Sequence, residues 1–208
     1  MQAPKKRNPK KTARDILDAA TSEFAENGFG GARIDVIAER ATSNKRMIYH
    51  YYGGKDDLFL AVLENSYAKI RRSESELNLE NLPPVDAIRK LIQFTYNYFT
   101  ENPDFISLLH SENLFDAVHL KKSKKILEMH SPLISKLDAV LTIGVKAGVF
   151  RDEVTAVDLY ISIAALGYFY LSNSSTLGAI FNKDLKSKKA INARGRHIED
   201  VVLGYLRP

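Results

Sequence analysis

The chain has 208 residues, 45% of them apolar and 26% charged, which is the balance of a chain able to bury a substantial core. It contains no cysteine, so disulfides and thiolate metal sites are excluded, and no apolar run approaches the roughly 20 residues that cross a bilayer. The formal net charge is +5, and it is unevenly placed. Residues 1–55 carry eleven Lys/Arg against six Asp/Glu, whereas the rest of the chain carries nineteen of each. Such asymmetry points to an anionic partner, either nucleic acid or a membrane surface, near the N-terminus.

Residues 1–11 hold two prolines and many lysines without hydrophobic period, and are expected to form a disordered basic arm. No apolar stretch follows them, so a secretory signal is not expected and a cytoplasmic location is the default. Thr12, with Asp15 three residues later, is expected to open the first helix, on which Ala13, Ile16, Leu17, Ala20 and Phe24 recur at helical spacing. Asn27-Gly28 should stop it. A second short helix carries Ile34, Ile37, Ala38 and Ala41, and Thr42-Ser43 breaks the run. Asn44 is a good N-cap for a third short helix that buries Ile48, Tyr51 and Tyr52 and ends at Gly53-Gly54. Three helices in about fifty residues, the last two joined by a very short turn, have helix-turn-helix anatomy.

Further on, the pattern predicts a long helix from Lys55 to about Asn78, then helices over Val85–Glu101 and Asp104–Phe115. Ala117–Ala147 reads as helix with an interruption near Ser131-Pro132, because proline removes a helical hydrogen bond. Thr155–Leu171 is apolar on most sides, a short helix lies near Thr176–Phe181, and the last runs from about Ala193 to Leu206. Nothing reads as a strand. The expected fold is all-α: an arm (1–11), a three-helix DNA-binding domain (12–54), and a helical domain (55–208).

A reading helix must present polar side chains at its N-terminal end to a major groove about 12 Å wide. Asn44-Lys45-Arg46-Met47, followed by Tyr49 and His50, has that composition, and residues 41–55 contain no acid. Arg46 or Lys45 can donate to guanine, Asn44 can meet adenine or a phosphate, and Met47 can pack on a thymine methyl. Tyr49 and His50 suit phosphates. Lys55, and Thr12 at the first helix, would sit where helix N-termini favour anions. Lys5, Lys6, Arg7, Lys10 and Lys11 can border a minor groove.

The stretch ATSNKRMIYHYYGGKDDLF is similar to the hallmark of TetR-family repressors, which typically runs Ala-Gly-Val-Ser-x-x-x-Leu-Tyr-x-Tyr-Phe-x-x-Lys-x-x-Leu. The preceding ILDAATSEFAENGFGGARIDVIAERA resembles the family's first two helices without a gap. The resemblance implies DNA contacts for Thr12, Lys45, Tyr49, His50 and Lys55. Two departures stand out: the family's Gly-Val in the turn is Thr42-Ser43, and its usual Thr at the second helix's start is Ala32. Arg33, beside that lost cap, offers a substitute phosphate contact. ENPDFISLLHSENLF, GVFRDEV and VVLGYLRP resemble the subgroup containing the pyrimidine-utilisation regulator.

The resemblance also implies that the remainder binds a small-molecule effector and forms a homodimer, as a palindromic site on double-stranded DNA requires. The expected dimer face is Leu159, Ile163, Leu166, Tyr170, Ile198, Val201, Val202 and Tyr205. The expected effector cleft is drawn from Tyr96, Phe99, Phe105, Leu109, His110, Asn113, Phe115, His130, Tyr168, Phe169 and Asn173, aromatic walls with a few polar handles. Neither a metal nor another cofactor is expected, since the five histidines show no recurrent ligand spacing. An enzyme built on His110, Glu112 and Asn113 lacks any nucleophile motif or phosphate loop. A lipid-surface module lacks large apolar side chains in the arm. An activator, rather than a repressor, remains compatible with the same residues.

Overall fold

The computed structural model describes residues 8–208, and among them there are ten α-helices and no strand. They are α1 (Pro9–Gly31), α2 (Ile34–Arg40), α3 (Lys45–Tyr52), α4 (Lys55–Ser75), α5 (Pro84–Glu101), α6 (Pro103–Leu114), α7 (Lys124–Lys146), α8 (Ala156–Ser172), α9 (Ser174–Phe181) and α10 (Lys188–Leu206). Among the described residues no helix is long and apolar enough to cross a membrane.

The helices divide between two compact units. The first holds the residues up to Tyr67 together with Ser107–Ile126, and the second holds Ala68–Ile106 with Leu127–Pro208. The expected boundary at residue 54 therefore shifts. The N-terminal helices keep the first part of α4 and the end of α6, because α4 contributes Leu58, Phe59, Val62 and Leu63, and α6 contributes Leu108, to one core with Ile16, Ala20, Phe24, Ile37 and Ile48.

Within the first unit, α1 starts three residues before Thr12. Asn8 is the N-cap, its side chain accepting from the Lys10 and Lys11 amides (3.1 and 3.5 Å), and Pro9 fills the first helical position, where its missing N–H costs nothing. Thr12 donates back to the Asn8 carbonyl (3.3 Å), and Asp15 pairs with Lys11 (2.6 Å) instead of completing a capping box. Lys10 and Lys11 are therefore helical, while Lys5, Lys6 and Arg7 lie outside the described residues. Gly28 breaks α1 as expected, with φ +65°, and one further turn follows to Gly31.

The end of α6 is clasped to this core. Ser111 Oγ accepts from the Phe29 amide (2.9 Å), and the Phe29 ring meets Phe59, Phe115 and His119 at tilted or edge-on angles with centroids 4.6–5.2 Å apart. Glu112, buried, accepts from the His119 and Leu120 amides (2.9 Å each) and lies 2.7 Å from His119 Nδ1. The chain turns here through two left-handed residues, Asp116 and Ala117, so the helix expected from Ala117 begins only at Lys124. Local sequence carries no glycine at that turn, and the buried carboxylate supplies the acceptors that hold it.

The second unit packs α5, α8 and α10 around Ala87, Ile88, Leu91, Ile92, Tyr96, Leu159, Ile163, Ile198 and Val202. Three sequence expectations change here. α7 runs unbroken through Pro132, which sits on an exposed face where water can serve the carbonyl that proline leaves without a donor. α4 stops at Ser75, before the left-handed Asn78. α10 begins at Lys188 because Ser187 caps it, accepting from the Ala190 amide (3.4 Å).

Candidate nucleic-acid interface

The site is built on α2, its turn, and α3. Ile37, Ala38 and Ile48 are buried and fix these helices on α1. Arg40 holds Glu26 with its two terminal nitrogens, Nη1 and Nη2 (3.0 and 2.7 Å), an exposed fork that lowers the Glu26 carboxyl below its ordinary range. Tyr52 donates to the Ala13 carbonyl (2.7 Å) and ties the end of α3 to α1. The start of α2 has no side-chain cap of its own, consistent with Ala32 in place of threonine. Buried Glu23 of α1 supplies the acceptor instead, taking the Arg33 amide at 3.1 Å. Its one signal in the sequence is an acid on the apolar stripe Ile16-Ala20-Phe24.

The turn itself is tight: the Thr42 and Ser43 amides return to the Glu39 and Ala38 carbonyls (2.9 Å each). Thr42 adopts φ +48°, the left-handed region that a β-branched residue rarely enters. The position where TetR-like sequences carry glycine thus keeps a glycine-like backbone here.

Asn44 caps α3, its Oδ1 accepting from the Met47 amide (3.0 Å), which leaves its Nδ2 as the group able to face outward. Lys45, Arg46, Tyr49 and His50 are exposed, Tyr49 by 54%. Tyr49 therefore does not pack on α1. Met47 is half-buried against the core, so only part of its side chain is presented. Arg33 and Lys45 are not isolated cations. Asp35 takes Arg33 in a fork (3.2 and 2.8 Å) and lies 4.0 Å from Lys45 Nζ, and these cations hold its carboxyl below the ordinary range. Lys55 Nζ lies 5.0 Å from the Phe29 ring centroid at the head of α4. The face from Asn44 to Lys55 thus presents exposed Lys45 and Arg46 with half-buried Lys55, and three acids border it: Asp35, and Asp56 and Asp57 in the first turn of α4.

The remaining expected residues separate. Leu109, His110, Asn113 and Phe115 belong to the first unit, and Tyr96, Phe99 and Phe105 are core of the second. Tyr96 donates to the Ile191 carbonyl (3.1 Å), and a Cβ on Gly167 would stand 3.3 Å from its ring and 3.4 Å from Phe99, so that region is filled. Phe169 is exposed, Tyr168 and His130 are half-buried, and Asn173 donates to the Phe169 carbonyl (3.0 Å). None of these residues lines the cavity of about 330 Å³ that opens between α4 and α7 of the second unit. Of these aromatic residues, Tyr96, Phe99 and Phe105 are core, whereas Phe115 and Phe169 lie on the surface. The cavity residues that sequence reasoning missed include Arg71 and Glu74, a buried ion pair on α4 whose charges look like an ordinary i,i+3 surface couple. Of the expected dimer face, Leu159, Ile163, Ile198 and Val202 are each at most 2% exposed and are used in the unit's own core. Leu166 and Tyr170 are half-buried beneath Arg194, and Val201 and Tyr205 are exposed. The outward stripe of α8 is Val157, Ile161 and Phe169, four and eight residues apart. Among the described residues no group of three or more metal-ligating side chains is placed to hold an ion.

Residues 16–62 match the family described as bacterial regulatory proteins, tetR family, and residues 84–202 match the tetracyclin repressor-like C-terminal domain. The HTH-type transcriptional repressor NicS of Pseudomonas putida is 37% identical over 197 residues, covering 95% of this chain and 93% of its own. The chain belongs to the TetR family. It is a TetR-family transcriptional regulator with a helix-turn-helix DNA-binding domain, and the family is one of DNA-binding regulators rather than enzymes. The HTH-type transcriptional regulator RutR of Escherichia coli K12 is 24% identical over 193 residues, covering 93% of this chain and 89% of its own. The transcriptional regulator FadR of Bacillus subtilis, solved in complex with stearoyl-CoA, superposes with a TM-score of 0.64 at 18% identity, covering 93% and 99%, and shares the fold.

Proposed function

We propose that this regulator is a cytoplasmic repressor that binds a palindromic operator as a homodimer and leaves it when a small-molecule effector binds. The observation that carries the reading is α3: an acid-free helix at the end of a helix-turn-helix, with Asn44, Lys45, Arg46, Tyr49 and His50 exposed. In this reading Arg46 and the Asn44 amide nitrogen address base edges, and the exposed part of Met47 meets a thymine methyl. Lys45, Tyr49, His50, Lys55, Thr12 and Arg33 hold phosphates and set register. A two-fold partner is supported by the stripe Val157, Ile161 and Phe169 with Val201 and Tyr205, which a monomer would leave in water. Repression is supported by the relative NicS, which is described as a repressor.

Effector release is a population shift between dimers that do and do not space their reading helices for DNA, driven by the ligand's preference for one of them. One continuous helix, α4, begins directly after α3 and carries cavity residues at its other end, which supports it as the moving part. The test is selection of duplex DNA on the purified protein, followed by titration of the recovered site against salt. A palindrome bound with a steep salt dependence is expected. Binding indifferent to sequence would overturn the reading.

A further inference from the structure

We propose that α9 and the turn behind it clasp a second copy of this chain, each subunit seating Ile180, Phe181 and the lysines that follow on the start of its partner's α8. The proposal rests on the homodimer reading above and names the polarity of its interface.

α8 and α10 run antiparallel. At one end the Arg151 amide donates to the Leu206 carbonyl (2.8 Å), so the start of α8 meets the end of α10. At the other end Arg194 donates to the Leu166 carbonyl (2.8 Å) and Tyr170 to the Leu185 carbonyl (2.9 Å), so the end of α8 meets the α9–α10 turn. That turn is a built element. The left-handed Asn182 closes α9, and Asp184 accepts from the Lys186 and Ser187 amides (3.0 and 3.1 Å). At its head Ile180 and Phe181 stand 73% and 62% exposed. Two adjacent large apolar side chains held in water on an ordered element mark a contact surface.

Charge names the occupant. Residues 182–197 carry six Lys/Arg and one Asp, and Lys183, Lys186, Lys188, Lys189 and Arg196 are exposed. Lys188 and Lys189 occupy the first turn of α10, where the helix dipole repels cations, and that turn holds no acid. The opposite end of the α8–α10 pair has the complementary sign. Asp152, Glu153 and Asp158 are exposed around the start of α8, with exposed Val157 beside them. Of the two cations there, Arg151 lies over the Tyr205 ring (5.1 Å to its centroid) and Arg207 follows the end of α10.

A two-fold contact is self-complementary, so the direction of its axis decides which ends meet. An axis along α8 sets the six cations of one subunit beside the six of the other. An axis across α8 inverts the partner and brings each basic turn onto the acidic start of the other α8. The stripe from Val157 to Phe169, about 18 Å long at 1.5 Å per residue, then lies against its own inverted copy, with Ile161 and the exposed Ala165 nearest the axis.

The chain has no cysteine, so introduced ones report without background. Phe181→Cys and Val157→Cys are to be co-expressed on full chains with tags of different length. The purified protein is treated with a short bis-maleimide while sedimentation reports its mass. A linked heterodimer is expected, with little linkage of Phe181→Cys to itself. Ile180→Cys, the more exposed neighbour, repeats the measurement should Phe181→Cys fold poorly. Lys183→Glu with Lys189→Glu should weaken the dimer about tenfold. Adding Asp152→Lys and Glu153→Lys to that chain should recover most of the loss, and no recovery overturns the charge pairing. A dimer in which Phe181→Cys links chiefly to itself, or in which neither cysteine of the turn links to Val157→Cys, overturns the clasp and spares the homodimer. A monomer at micromolar concentration overturns both. Flotation of the wild-type chain with phosphatidylglycerol vesicles, lost in Lys183→Glu with Lys189→Glu, assigns the turn to a lipid surface and also overturns the clasp.

Discussion

Asp35→Asn is expected to tighten DNA binding and steepen its dependence on salt. In the wild-type chain the Asp35 carboxylate occupies Arg33 through two contacts and stands 4.0 Å from Lys45, at the edge of the reading face. All three side chains are largely solvent-exposed, so the network itself adds little to folding. The loss of an acid from the first turn of α2 removes a favourable but solvent-screened interaction with the helix dipole. The larger consequence is at the DNA surface. Each cation released to a phosphate steepens the slope of log K against log salt by about 0.9, so two per subunit give at most about 1.8. Between about 50 and 200 mM salt each such contact corresponds to roughly a 3.5-fold change in affinity. Phosphates are present on every sequence, so operator and random duplex should both gain at low salt, and their affinity ratio should fall. Fluorescence anisotropy on labelled duplexes at four or more salt concentrations measures the slope, with a thermal melt to confirm folding. An unchanged or shallower slope in a folded variant would refute the assignment of Arg33 and Lys45 to phosphates.

Thr42→Gly should raise the melting temperature by a few degrees, because relief of roughly 1–2 kcal/mol of left-handed strain outweighs a glycine entropy cost of about 0.5–1 kcal/mol; a lower melting temperature would show the turn to be unstrained. Burial raises the Glu74 carboxyl from 4.5 to about 7, against the pull of Arg71, so the folded chain keeps a proton that the unfolded chain releases. Stability from this group is present below pH 4.5 and lost as pH rises through 7, of order 3 kcal/mol in all. Melts between pH 5 and 8 should show Glu74→Gln losing less stability with rising pH than the parent, and parallel pH profiles would contradict the buried carboxyl. Ile161→Glu combined with Phe169→Glu places charges on an exposed stripe, so the subunit should stay folded while sedimentation reports a monomer and operator affinity falls at least tenfold; an intact dimer would remove this face from the interface.

What could be read from the sequence was what is local. The α2–α3 pair, the Asn44 cap and the Gly28 break each depend on residues within a turn or two of one another, and composition marked them. The start of α1 was misplaced because Asn8-Pro9 sits among lysines that carry no hydrophobic period, while Thr12 and Asp15 imitate a capping box. The phase of α8 was illegible: a helix apolar on most sides does not say which face meets its own core, and Leu159 and Ile163 went inward while Ile161 and Phe169 faced out. Acids that act across the chain also left little trace. Glu23 serves an amide ten residues away, and Glu112 holds a turn with two backbone bonds, yet each reads as an ordinary helix charge. The basic face could be found from charge counting, but not the pairing of Asp35 with Arg33 at its edge. The Arg71–Glu74 cavity was hidden because burial, not spacing, makes that pair unusual.

Pro132 gives the cavity a mechanical property. It lies within α7, a 23-residue helix, and in the cavity wall. A proline has no N–H to offer the carbonyl of Glu128, and its ring presses on that carbonyl, so the helical ladder lacks one rung there. A rod with a missing rung bends most easily at the gap. The wall on the α7 side is therefore compliant, whereas Arg71 and Glu74 stand on α4, which contains no proline. The cavity of about 330 Å³ is thus bounded by one wall that bends readily and one that does not.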